Sequence, residues 1–248
     1  MPMTNRIIRP GAVLRALLFL VLGHGTLFGQ GAFELKPGRE AVIGGAGVAF
    51  YGFALFQEHR NTGLALPVLD RSRILSIDRI AIDQWSIPAH RASNVLFGVA
   101  VAASLTTAII GEKGERPLVP IVIIAEAGLF SAGLTNTVKE LVRRPRPYLH
   151  GMNAPPEATR TSNDYNSFWS GHTANTAAIT FTCANMVQRS DASSGVKTAT
   201  WIGAAVAPAA MGYLRARAGR HFPTDVLTGY AVGALVGWAV PYFHRSIR

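Results

Sequence analysis

Two side chains near the end of this sequence, His221 and Asp225, have the spacing of a nucleophilic site. They lie four residues apart, so on a helix they would share one face, and Pro223 between them favours a helix start. A carboxylate bonded to one imidazole nitrogen fixes the tautomer and leaves the other nitrogen free to act as a nucleophile. An ordinary His–Asp pair at a helix end has the same spacing, so this motif alone leaves both interpretations open.

A second group, Ser170, Gly171 and His172, directly precedes an apolar run. Backbone N–H groups at a helix N-terminus bind anions, and a glycine there lets a phosphate approach the backbone closely. His172 would then be placed to protonate a leaving oxygen and afterwards to activate water. The alternative is that Ser170 only caps the helix and the histidine is incidental.

Three cations complete the pattern, and they lie at the ends of apolar runs, where charge is costly unless it is paired or functional. Lys139 and Arg146 flank the end of one run, and Arg215 lies six residues before His221. Such side chains can bind phosphate oxygens, or they can anchor a membrane protein at the lipid headgroups. The adjacent Arg143 and Arg144 are expected to face water or headgroups.

The three motifs in this order, K-x6-R-P, S-G-H and R-x5-H-x3-D, resemble the signature of the type 2 phosphatidic acid phosphatase superfamily. That superfamily contains membrane lipid phosphatases, soluble bacterial acid phosphatases and vanadium haloperoxidases, and the likeness covers residues 93–243. Two positions depart from its pattern: Trp169 stands where proline is usual, and Leu214 where serine is usual. The resemblance implies a catalytic set and a phosphate-binding set: His221 as nucleophile, Asp225 as its partner, His172 as general acid and base, and Lys139, Arg146, Ser170, Gly171 and Arg215 as phosphate ligands.

The composition is that of a membrane protein. Of 248 residues, 49% are hydrophobic and only 15% are charged, with 25 glycines that suit closely packed spans. We therefore predict an all-α, polytopic bundle of about five to six transmembrane helices. The net charge of +10 fits basic loops at a membrane surface, since no basic stripe interleaved with aromatic residues indicates nucleic-acid binding. The single cysteine, Cys183, excludes an intramolecular disulfide.

Four segments are predicted along the chain. They are a signal peptide or N-terminal anchor (1–30), an N-terminal segment (31–92), the helical phosphatase core (93–243) and a short tail (244–248). The segment 31–92 combines an apolar run at 41–56, which we expect not to span, with an amphipathic surface region at 57–92. Further apolar runs fall at 93–110, 118–137, 173–187, 199–213 and 226–243.

The orientation follows from the basic residues after the last run. Arg245 and Arg248 indicate a cytoplasmic C-terminus, so the loop that carries His221 would face the periplasm or exterior of a bacterial-type cell membrane. A cleaved signal peptide with a non-spanning 41–56 run satisfies this topology, and so does an N-terminus that does not cross.

Together with these observations, the resemblance to that superfamily implies a metal-independent membrane phosphatase that forms a phosphohistidine intermediate and uses no cofactor. Its partners would be the membrane and a lipid phosphate, such as a polyprenyl pyrophosphate, phosphatidylglycerol phosphate or lipid A, and not nucleic acid. The loop at 148–168 would set specificity. The alternatives are a catalytically idle phospholipid-binding scaffold and a vanadate-dependent haloperoxidase-like enzyme, whereas the chain has no H-E-x-x-H zinc motif.

Overall fold

A computed structural model describes residues 31–62, 64, 67–111, 117–156 and 161–246. The predicted signal peptide or anchor at 1–30 lies outside the described residues. The all-α prediction is confirmed, since extended pairing in the described ranges is limited to one isolated antiparallel bridge, Phe33 to Arg245. Within these ranges, six α-helices form a bundle: α1 (Pro37–Asn61), α2 (Ile87–Gly111), α3 (Leu118–Val142), α4 (Gly171–Gln188), α5 (Ser194–Arg217) and α6 (Pro223–Phe243).

The bundle has two distinct ends. At one, the starts of α4 and α6 meet, because the Ser170 N–H donates to the Asp225 carbonyl oxygen at 3.0 Å. We call this the motif end. At the other, the segment before α1 pairs with the end of α6 through the Glu34 N–H and the His244 carbonyl oxygen, 3.0 Å apart. We call this the terminal end.

Among the described residues, four stretches are long and apolar enough to cross a membrane, judged by length and composition: Pro37–Asn61, Ile87–Ile110, Leu118–His150 and Pro223–Phe243. The first contains the run at 41–56 that we expected not to span. The helix there has 25 residues, because it continues through polar residues at both ends of the apolar run. The runs at 173–187 and 199–213 also form helices, within α4 and α5. Helix α4 is central and mostly buried against α2, α3, α5 and α6.

Glycines bring α6 close to α4. Gly229, Gly233 and Gly237 recur every four residues, so they lie on one face of α6. A Cβ at Gly229 would be 2.6 Å from the carbonyl oxygen of Ser170, and one at Gly237 would be 2.5 Å from that of Ala178. Only residues without a side chain allow this approach, and it sets the start of α4 beside the start of α6.

We expect Gly233→Ala to destabilise the bundle by about 1–3 kcal/mol, because the added Cβ would overlap the Ala174 carbonyl oxygen. Unfolding of the detergent-solubilised protein measures this effect. Gly203→Ala on α5 is the matched control, since a Cβ there has no atom within 4 Å. Alanine is the better helix former, so the control should be neutral or slightly stabilising. Equal effects of the two substitutions would mean that the α4–α6 contact does not require glycine.

The region at 57–92 differs from the expected amphipathic surface helix. It contains two short 3₁₀ helices, Arg71–Arg73 and Ser76–Ala81, before α2 begins. Asp78 is fully buried, and its Oδ1 accepts a hydrogen bond from the Thr224 N–H at 2.9 Å. The second 3₁₀ helix therefore packs against the start of α6 and supports the motif end.

Candidate active site at the motif end

The start of α4 forms an anion-binding corner. Ser170 is the N-cap residue, and its hydroxyl lies 2.9 Å from that of Thr173. A Cβ on Gly171 would lie 3.4 Å from the Lys139 ammonium nitrogen, so the glycine leaves room for this cation at the helix start. The first N–H groups of α4 and the Lys139 ammonium group therefore lie at one corner, which is an arrangement that can bind an anion.

His221 is held by a backbone carbonyl. The ring is 1% exposed, and Nδ1 lies 2.8 Å from the Ser167 carbonyl oxygen. Because a carbonyl can only accept, Nδ1 carries the proton of the neutral ring, and Nε2 keeps its lone pair. Nε2 is the nitrogen that can act as a nucleophile.

Asp225 does not hydrogen-bond to His221, although the four-residue spacing of the two side chains suggested that it would. Its Oδ2 lies 3.8 Å from His221 Nδ1, which is beyond hydrogen-bond distance. That oxygen instead accepts hydrogen bonds from the Ser167 hydroxyl at 2.5 Å and from the Phe222 N–H at 2.8 Å. Asp225 therefore fixes both backbone segments that hold the ring: Ser167, whose carbonyl orients it, and Phe222, which follows it.

The charges of the three predicted cations act on His221. Burial lowers the pKa of this imidazole well below 6.5, and the charges of Arg146, Arg215 and Lys139 lower it further. The ring is therefore neutral near pH 7. A protonated imidazole could not attack phosphorus, so the neutral state leaves His221 able to act as a nucleophile.

Arg146 and Arg215 are both buried and held in place by polar partners. Arg146 donates from Nη1 to the Arg220 carbonyl oxygen at 2.9 Å and from Nε to the Asn163 carbonyl oxygen at 2.8 Å. Arg215 Nη1 lies 3.2 Å from the Ser93 hydroxyl and 3.0 Å from His90 Nδ1. In the part of the chain that the structure describes, Arg215 Nε has no hydrogen-bond partner. A phosphate oxygen would satisfy such a donor.

His172 lies at the same corner, with Nε2 3.0 Å from the Asn94 side-chain oxygen. Its pKa is lowered to about 3, first by desolvation and then by the positive charges of Arg215 and Lys139. The imidazole is therefore neutral in the unliganded site. A general acid must be protonated, so this role requires a bound anion that offsets the positive charge.

We expect inorganic phosphate to raise the pKa of His172 by about one to three pH units, because a nearby negative charge favours the imidazolium. Since phosphate then binds the protonated form better, its affinity should rise as the pH falls. Histidine-labelled protein followed by NMR measures the titration, with the His172→Gln spectrum to assign the signal and the exposed His59 as internal control. An unchanged His172 titration at saturating phosphate would place the anion elsewhere.

The sequence analysis did not predict the ion-pair network that holds Asp225 in place. Arg144, expected at the surface, is only 23% exposed; its Nη1 donates to Asp225 Oδ1, and its Nη2 contacts Asp78 Oδ2 at 2.8 Å. The guanidinium also stacks over the Phe222 ring, 4.2 Å from the centroid. The expectation that Arg144 faces water or headgroups is therefore wrong. The sequence did contain an indication of this role. The segment 143–146 has three arginines, whereas the K-x6-R-P motif requires only Arg146.

The two departures from the family pattern lie outside the group of charged side chains. The Trp169 indole N–H donates to the Thr135 hydroxyl on α3 at 2.7 Å, and the side chain is buried. Leu214 is half-buried on α5, one residue before Arg215. All eight predicted residues meet at the motif end: Lys139, Arg146, Ser170, Gly171, His172, Arg215, His221 and Asp225.

The fold and the motif end together define a bundle of membrane-type helices with a cationic, histidine-containing corner suited to phosphate esters. Residues 120–248, just over half of the chain, match the PAP2 superfamily, and the chain belongs to that family. This membership indicates phosphatase activity on phosphate esters. Comparison with curated proteins and with solved structures gives no match. The matched range contains all three motifs, whereas Asp78 and the partners of Arg215 precede it.

Proposed function

We propose that the protein is a metal-independent membrane phosphatase that hydrolyses a lipid phosphate or pyrophosphate through a phosphohistidine. The observation that carries the proposal is the His221 ring, whose Nδ1 is held by the Ser167 carbonyl oxygen at 2.8 Å, among three cations. This arrangement leaves Nε2 available for in-line attack on phosphorus. Lys139, Arg146 and Arg215 supply the positive charge that phosphoryl transfer demands, so the proposed mechanism requires no metal.

The reaction has two steps. In the first, His221 Nε2 forms a bond to phosphorus, the bond to the leaving oxygen breaks, and protonated His172 gives its proton to that oxygen. In the second, water attacks the phosphohistidine, neutral His172 takes the water proton, and the phosphorus–nitrogen bond breaks to release phosphate. Each proton given in the first step is recovered in the second. His172 therefore acts once as acid and once as base.

A lipid substrate is supported by the location of the corner. It lies at the end of the four described stretches that are long and apolar enough to cross a membrane, so an amphiphilic phosphate can present its headgroup there. The C-terminal basic residues favour a cytoplasmic terminal end, which would leave the motif end facing the periplasm or exterior. The loop at 148–168 contributes Asn163, which binds Arg146, and we expect it to affect headgroup preference.

Phosphate release tests the proposal. The detergent-purified protein is assayed with EDTA against undecaprenyl pyrophosphate, phosphatidylglycerol phosphate, phosphatidic acid and lipid A, beside a soluble phosphate ester. We expect release from at least one lipid, faster than from the soluble ester. Activity lost in EDTA and restored by a divalent ion would contradict the metal-independent mechanism. Binding of phosphate without any turnover would instead favour the idle scaffold, and vanadate-dependent halide oxidation would favour the haloperoxidase.

A further inference from the structure

Three ionisable side chains meet inside the terminal end, far from the phosphatase motifs. Glu40 comes from the first turn of α1, Glu126 from α3, and His244 follows α6. They are 5%, 6% and 0% exposed. Buried charges in a membrane bundle are costly, so such a cluster requires pairing or a function.

The cluster has more acceptors than its histidine can satisfy. His244 Nε2 lies 2.7 Å from Glu40 Oε2 and 3.0 Å from Glu126 Oε2. A ring nitrogen carries at most one proton, which two carboxylates here must share. Among the described residues, neither carboxylate oxygen of Glu126 has a hydrogen-bond partner although both are buried, and Oε2 is the one that faces His244. An unsatisfied buried carboxylate oxygen aimed into a histidine-containing cluster indicates that a cation belongs there.

The surrounding contacts orient the three side chains as metal ligands. His244 Nδ1 donates to the Val240 carbonyl oxygen at 2.7 Å, so a metal ion that replaces the Nε2 proton would meet a neutral ring whose Nε2 lone pair is directed at the carboxylates. Glu40 Oε1 accepts from the Lys36 N–H at 2.8 Å and from Arg39 Nε at 3.2 Å, which leaves its Oε2 for the cluster. A backbone carbonyl on the second ring nitrogen and hydrogen bonds on a ligating carboxylate are the usual supports of metal ligands.

We propose that Glu40, Glu126 and His244 bind a divalent transition-metal ion of the Zn²⁺ type. One imidazole nitrogen and two carboxylate oxygens suit such an ion, whereas Mg²⁺ and Ca²⁺ prefer oxygen ligands only. The ligand atoms already lie within 4.8 Å of one another. Metal–ligand distances of about 2.0–2.2 Å require ligand atoms roughly 3.4 Å apart. The contacts of 2.7 Å and 3.0 Å from His244 Nε2 to the two carboxylates would therefore widen by about 0.7 Å and about 0.4 Å.

The bound ion would join three helices and have a structural role. It connects α1 with α3 and with the end of α6, next to the bridge between Phe33 and Arg245. Glu126 precedes Lys139 by thirteen residues on α3, or about 20 Å along the helix. The metal site is therefore separate from the phosphate corner, and its occupancy should affect stability and not turnover.

The experiment uses the full chain without an affinity tag, stripped with EDTA, dialysed and then loaded with Zn²⁺. Bound metal is measured by mass spectrometry, and thermal unfolding is recorded with and without Zn²⁺. We expect one Zn²⁺ per chain and a raised Tm in the wild type. Glu126→Gln should lower Zn²⁺ affinity at least about 100-fold and abolish the Tm rise. Glu58→Gln, which removes an exposed carboxylate of α1 outside the cluster, should behave as wild type.

X-ray absorption of the Zn²⁺-loaded wild type keeps the test decisive if Glu126→Gln fails to fold. A first shell of one nitrogen and two carboxylate oxygens, with oxygen from water, supports the site. No stoichiometric Zn²⁺ in the wild type, equal binding by Glu126→Gln, or a shell with several imidazoles would overturn the proposal. These results do not depend on phosphatase activity, which the EDTA assay tests separately.

Discussion

The His221→Ala protein is expected to lose turnover by at least about 10,000-fold, with substrate affinity much less affected. Removal of the ring removes the nitrogen that forms the phosphorus bond, and no neighbouring group can replace it. The side chain is buried, but it belongs to the loop between α5 and α6, and its ring contacts the backbone of the loop before α4 through the Ser167 carbonyl oxygen. The variant should therefore keep its fold and its phosphate-binding cations.

The chemistry of the intermediate provides the sharper measurement. Brief reaction with a radiolabelled substrate and denaturation should trap phosphate on the wild-type chain, in a bond that is labile to acid and stable to base. His221→Ala should trap none. His172→Ala should also turn over slowly, but with an activated leaving group it should still form the intermediate, because only the acid is missing.

The exposed His59 on α1 gives the matched control for these variants. His59→Ala should keep wild-type turnover and trapping. Normal turnover by His221→Ala would rule out the phosphohistidine mechanism. Trapped phosphate that survives in His221→Ala would place the nucleophile elsewhere, while the PAP2 membership of the chain would stand.

The sequence predicted the residues of the corner because their chemistry is local. Serine and glycine before an apolar run predict a helix start, and the structure places Ser170 as the N-cap of α4. Pro223 predicts the start of α6, and Gly219, with a positive φ of 71°, completes the turn that carries His221. These features depend on neighbours within a few residues, so they can be read from one chain.

The supports of the corner could not be read in this way, because their partners are distant in sequence. Asp78 and Arg144 are 66 residues apart, and the pattern around Asp78 is that of a mixed-charge surface segment. The spacing of His221 and Asp225 predicted a direct hydrogen bond, but the Ser167 hydroxyl and the Phe222 N–H occupy the nearer carboxylate oxygen. Only the tertiary structure decides between such competing donors.

The orientation of α1 also depends on tertiary contacts. Its start lies at the terminal end, together with the end of α6, because Glu34 pairs with His244. If α1 crosses the membrane, both lie on the same side, and a cytoplasmic C-terminus then places residue 31 in the cytoplasm.

The Arg144→Gln protein is expected to lose about 3–5 kcal/mol of stability, which is the usual cost of leaving buried charges without their partner. Arg144 bridges the carboxylates of Asp225 and Asp78, both of which are fully buried. Without the guanidinium, these two negative charges repel each other and remain desolvated. Asp225 then shifts, and with it the Ser167 carbonyl that orients His221. A displacement of about 1 Å can lower turnover about 100-fold, so kcat should fall as well.

A double-variant cycle separates this positioning role from simple loss of a contact. Asp78→Asn removes one of the two charges, so in the Arg144→Gln background it should be much less harmful than in the wild type, and it should restore part of the lost stability. The half-buried Arg143 is the matched control; Arg143→Gln removes the same charge one residue away and should change stability by less than about 0.5 kcal/mol. Unfolding in detergent gives the stabilities, and phosphate release gives kcat and KM. Additive effects of Arg144→Gln and Asp78→Asn would contradict the network. A raised KM with unchanged kcat would mean that Arg144 binds substrate and does not position Asp225.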